Sequence, residues 1–174
     1  DAILKAYRSL APAKMAAGSV SAARYIRNRA RKGPVDPELS FLAVEKDTGE
    51  RCYLASFSAH PTVVGPRFMQ FTAEYPGFLQ QAIERETGAT AVYLGGAVGS
   101  MGPDAPHAAE PIARAQAMGE ALAQLILDSA KDQENASSAP SSAEPTAPDA
   151  SSSSAEQPQQ PAAPVEPPKT DADA

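Results

Sequence analysis

Few residues of this 174-residue chain combine a reactive type with a telling position. His60 closes an apolar run and is followed at once by Pro61. A neutral imidazole held there suits a metal ligand or a general base. It equally suits a half-buried histidine bonded to backbone, and both readings stand. His107, three residues beyond Asp104, reads as a residue near the start of a long helix. No His-x-x-x-His or Cys-x-x-Cys spacing occurs, so the chain alone cannot complete an ordinary tetrahedral zinc site. The second candidate is a glycine loop, Gly95-Gly96-Ala97-Val98-Gly99-Ser100-Met101-Gly102-Pro103-Asp104. Its spacing fits neither the phosphate loop nor the dinucleotide fingerprint. Glycines there let a substrate approach backbone N–H donors, or simply make a tight turn. Ser100 sits in Gly99-Ser-Met-Gly102, one residue short of a hydrolase nucleophile elbow.

Both segments need scaffolding. Phe41 to Lys46 and Arg51 to Ala59 read as antiparallel strands around the turn Asp47-Thr-Gly49-Glu50. A helix starts near Glu74 or Tyr75, tolerates Pro76 in its first turn, and stops at Gly88. Its apolar stripe is Phe78, Leu79, Ala82 and Ile83. The nearly unbroken apolar run 90–97 reads as a strand buried on both faces. A long helix follows, roughly Ala108 to Lys131. Strand, helix, strand, helix makes a βαβ unit with a further helix. The fold class is therefore α/β, a partial mixed sheet with a βαβ unit flanked by helices. Ligands of such sheets sit at the carboxyl ends of the strands. His60-Pro61 and the loop from Gly99 to Asp104 both lie at such ends and would share one rim.

Upstream, residues 2–10 form a helix with Ile3, Leu4, Tyr7 and Leu10 on one face, ended by Pro12. Residues 14–22 are a weak strand and 24–38 a loop. The basic cluster Arg24, Arg27, Arg29, Arg31 and Lys32 has little aromatic interleaving, so it reads as a solvated loop pairing with Asp36 and Glu38 rather than as a nucleic-acid surface.

From Asp132 onward the composition turns to Ser, Ala, Pro, Glu and Gln, with Val165 as the one large aliphatic residue. Such a segment cannot offset its chain entropy and is expected to be a disordered C-terminal tail, 132–174, leaving 1–131 as the folded domain. The tail carries a net charge of −7 against −6 for the whole chain, so residues 1–131 sum to +1. The acidic balance is a tail property. The tail's composition suits the outside of a bacterial cell. Cys52 is alone, so no internal disulfide forms. No run approaches the ~18 apolar residues that span a bilayer. The opening at Asp1, inside a helix, reads as a truncated or processed product.

Several segments resemble the catalytic domain of the neutral, non-lysosomal ceramidases. They are Asn28-Arg29, the strand–turn–strand from Phe41 to Ala59, Ser58-Ala-His60-Pro61-Thr62, Glu74-Tyr-Pro-Gly77, and Gly95-Gly-Ala-Val-Gly99-Ser-Met-Gly102-Pro103. The resemblance covers roughly 1–130. It implies a zinc-dependent amidohydrolase acting on the N-acyl bond of a lipid or related small molecule. It implies that His60 is a zinc ligand, and Gly99, Ser100, Gly102 and Asp104 are read as shaping the substrate rim through backbone donors. The family's catalytic serine is replaced here by Gly102, so no catalytic residue is assigned. Its remaining zinc ligands would lie upstream of Asp1 and downstream of the domain. A non-catalytic ceramidase-like binding or structural domain is the alternative. The oligomeric state is not legible.

Overall fold

The computed structural model describes residues 1–138, with side chains to Gln133. The elements are α1 (Ala2–Arg8), β1 (Ala13–Ser21), a 3-10 turn (Ala23–Tyr25), β2 (Ile26–Asn28), β3 (Glu38–Lys46), β4 (Arg51–Phe57), α2 (Glu74–Thr87), β5 (Thr90–Gly95), β6 (Met101–Pro103) and α3 (Pro111–Ser138). The main sheet has the order β1-β3-β4-β5. β1–β3 and β3–β4 are antiparallel, and β4–β5 is parallel. β2 and β6 form a separate two-stranded ribbon.

The hairpin turn forms because Gly49 takes a positive φ of 86°, letting Lys46 N donate to Glu50 O at 2.9 Å. The parallel crossover runs through α2, which Gly88 terminates at φ 68°. Helices α2 and α3 pack on one sheet face. Leu39, Phe41, Phe57, Leu79, Ile83, Met118, Leu122 and Ile126 fill the space between. Each such side chain contributes roughly 1.5–3 kcal/mol by leaving water. The helices approach closely at Gly119, where an added Cβ would lie 2.5 Å from Tyr75 O and 2.7 Å from Leu79 N.

Three sequence expectations change, and one helix that forms as read is left uncovered. The run at β5 is covered on one face only: Ala91 is buried, while Val92 and Leu94 are 40% and 52% exposed. The second layer that such a strand needs is missing among the described residues. α1 forms, but its apolar stripe is uncovered, with Ile3 at 85% and Tyr7 at 72% exposed. The segment 24–38 is not all loop, because it carries the 3-10 turn and β2. The long helix runs to Ser138, past the boundary drawn at Asp132. Its extension packs on β1, with Gln133 lying against Gly18. The rest of the expected tail lies outside the described residues.

Candidate functional site

Because β4 and β5 are parallel neighbours, the segments leaving their carboxyl ends emerge together. Gly96 N donates to Phe57 O at 3.1 Å. Gly96 passes so close to Ser58 that an added Cβ would lie 3.2 Å from Ser58 Cα. The chain then tightens through Val98 N to Gly96 O, 2.9 Å, and Met101 N to Val98 O, 3.2 Å. His60 N donates to Met101 O at 3.3 Å. The two segments singled out in the sequence thus meet directly.

The basic segment holds this rim in place. β2 pairs with β6, Ile26 opposite Pro103 and Asn28 opposite Met101. Arg29 N donates to Ser100 O at 2.8 Å, and its guanidinium reaches Gly99 O at 3.0 and 3.3 Å. Arg27 Nε donates to Pro103 O at 3.2 Å, and Arg24 stacks over Tyr25. The expected pairing with Asp36 and Glu38 is absent among the described ion pairs. Asp36 instead accepts from Ser58 Oγ at 3.0 Å. Guanidinium donors suit unsatisfied loop carbonyls, which the sequence did not reveal as near neighbours.

Gly99 and Ser100 therefore turn their carbonyls towards Arg29. Gly102 is buried in β6 against the Arg29 stem. Asp104 is exposed, and its N–H is already donated to Tyr25 O at 2.9 Å. His107 is exposed in the segment leading to α3.

His60 is half-buried, and its Nδ1 is buried without a hydrogen-bond partner. Such an orphaned nitrogen costs free energy unless a ligand or ion completes it. Zinc, which the family resemblance implies, fits only this far. Among the described residues no three His, Cys, Asp or Glu side chains cluster closely enough to hold a metal ion. This part of the chain supplies one donor, not a centre.

Sequence reasoning missed a tyrosine pair beneath the rim. Tyr75 from α2 and Tyr93 from β5 meet edge to face, with centroids 5.8 Å apart. Tyr75 Oη contacts the Ala59 carbonyl and lies 2.7 Å from Tyr93 Oη, which is 2.8 Å from Phe57 O. Two hydroxyl protons serve three contacts. Tyr75 donates to Ala59 O and Tyr93 to Phe57 O, and either hydroxyl can donate across the pair instead. The pair fixes the strand end one residue before His60. A tyrosine inside an apolar run, needing a partner for its hydroxyl, was the available signal.

Burial pushes the Tyr75 phenol well above its ordinary range, with Tyr93 adding to the effect. Burial likewise raises Tyr93. Below about pH 10 both folded and unfolded chains keep the Tyr75 proton. Above it only the unfolded chain releases it, so stability should fall by about 1.4 kcal/mol per pH unit on this account. Urea unfolding between pH 9 and 11 should show that fall, and Tyr75→Phe should flatten it by about that slope. An unchanged slope in the variant would mean the phenol titrates freely.

Next to the rim lies an open groove of about 500 Å³ lined by Pro61, Val64, Pro66, Phe71 and Glu74, among others. Glu74 organises it. Its carboxylate is buried and accepts from Val64 N at 2.7 Å and Tyr75 N at 3.1 Å. Its backbone holds φ 56°, unusual for any residue but glycine.

No helix among the described residues is long and apolar enough to cross a membrane. No protein-family model matches the chain, and no curated protein does. Solved structures do. A crystal structure of neutral ceramidase from Pseudomonas aeruginosa superposes with a TM-score of 0.64 at 18% identity, covering 74% of this chain and 24% of that one. A ceramidase complexed with C2 superposes at 0.63 with 16% identity and the same coverage. The chain spans about a quarter of the length of these structures. Its described residues therefore have the fold of one part of a neutral ceramidase.

Proposed function

We propose that this chain is one part of a zinc-dependent hydrolase of the neutral ceramidase type, cleaving the N-acyl amide bond of a lipid or related substrate. The observation that carries the reading is the buried, unpartnered His60 Nδ1 at the junction of the two strand-end segments. His60 would supply one zinc ligand, and the other ligands would come from residues outside those described. Gly99, Ser100 and Asp104 would line the substrate rim, held by Arg29 and by β2, with Gly102 buried beneath them. Gly102 stands where the family's serine would be, so no catalytic residue is assigned within the chain. The partner is a small-molecule or lipid substrate. Nucleic acid is not proposed, because Arg24, Arg27 and Arg29 already bind within the fold. The second reading is a ceramidase-like structural or binding domain without catalysis of its own, which the glycine at position 102 in place of the family's serine favours.

Metal content separates the two. The protein expressed from its native reading frame should carry about one zinc per chain, and His60→Ala should lose most of it. No zinc in either protein, with folding unchanged, would leave the non-catalytic reading. Zinc retained by the variant would remove His60 from the ligand set.

A further inference from the structure

The loop that leaves His60 carries apolar side chains outward. Gly65 turns it at φ 74°, with Phe68 N donating to Gly65 O at 3.4 Å. Glu74 pins both of its roots. Val64 N donates to the Glu74 carboxylate at 2.7 Å, and Glu74 N donates to Thr72 Oγ1 at 3.0 Å. Between these roots Pro66, Arg67, Met69, Gln70 and Phe71 are exposed, and Phe68 is half-buried. Met69 is 89% exposed and Phe71 fully so, more than any other large apolar residue among those described. Arg67 stands beside them without an ion-pair partner among the described residues. From Pro61 to Ala73 the sequence has no acidic residue. Two large apolar side chains next to an unpaired cation, kept in water on a pinned loop, mark a binding surface.

We infer that this tip inserts into the interface of an anionic lipid surface. The apolar pair enters the acyl boundary, while the Arg67 guanidinium stays among the headgroup phosphates. A protein partner fits less well. It needs about 800 Å² of complementary surface on each side, whereas this tip offers Met69, Phe71 and Arg67. Lipid accepts a projection of any outline, and a loop without acids meets no repulsion from the lipid's charge. Because the loop follows directly on His60, docking by its tip brings the rim near the lipid surface. The inference goes beyond the hydrolase reading and stands without it, since it uses no metal and no catalysis.

Co-sedimentation of the full chain with vesicles of phosphatidylcholine mixed with phosphatidylglycerol tests this. The parent should bind them. Met69→Ser combined with Phe71→Ser should weaken binding roughly ten-fold or more, with the melting temperature unchanged. Arg67→Gln should weaken it about five-fold at low salt. Phe71→Trp puts a tryptophan where the chain otherwise has none, and lipid brominated on its acyl chains should quench it. A parent that stays in solution overturns the inference. So does binding equal to the parent's in either variant, or an unquenched tryptophan in bound protein. A dimer that the double variant splits also overturns it, because the tip would then belong to a second copy. A lower melting temperature in the double variant overturns it too, because the two side chains would then pack within the chain. None of these readouts depends on zinc, so they are separate from the metal content of His60→Ala.

Discussion

Gly119→Ala should lower the melting temperature by roughly 10 °C, the largest effect expected of any single added methyl group here. The reason is what the new Cβ would meet. Its neighbours are Tyr75 O at 2.5 Å and Leu79 N at 2.7 Å, both backbone atoms of α2. A side chain can rotate away, but a helix backbone moves only as a unit. Accommodating the methyl means separating α2 from α3, and Tyr75, Leu79, Met118 and Leu122 all lose contact together. Gly95→Ala is the control, since a Cβ there meets nothing within 4 Å. Circular dichroism melts of the two variants should differ by most of the ten degrees. Equal melts would mean the helices do not approach at this depth.

Glu74→Ala should cost about as much, roughly 3 kcal/mol, for different reasons. It strips the acceptor from Val64 N and Tyr75 N, and it leaves in place the positive φ that Glu74 already carries. Glu74→Gly loses the same acceptor but removes the backbone strain, so it should be about 1 kcal/mol more stable than the alanine variant. Urea titrations give both differences. Glycine and alanine variants of equal stability would show that the left-handed conformation is not strained. Two variants as stable as the parent would show that the carboxylate holds nothing.

These two positions also show where sequence reasoning stops. The hairpin around Gly49, the capped helix ending at Gly88 and the parallel crossover were legible because each is written locally, in turn residues and periodic apolar spacing. The meeting of His60 with the glycine loop followed from the general placement of strand ends in parallel sheets. Glu74 was visible as an acidic residue leading a helix, but its φ and its grip on Val64 depend on how the preceding loop closes. β2 and β6 were not legible, since three residues are too few to show an alternation. The apolar text of β5 read as a strand buried on both faces, whereas Val92 and Leu94 stand exposed on one of them. One cover is simply not among the described residues.

The β2–β6 ribbon has a kinetic consequence. Arg27 and the Pro103 carbonyl it binds are 76 residues apart in the chain. The β3–β4 hairpin closes over a four-residue turn, and β5 joins through a helix that can form locally. Loop-closure entropy grows with separation, so contacts of long range form after the local ones that shorten the path between them. Closing the rim that carries His60 therefore costs more chain entropy than closing the β3–β4 hairpin, and the ribbon is expected to form after it.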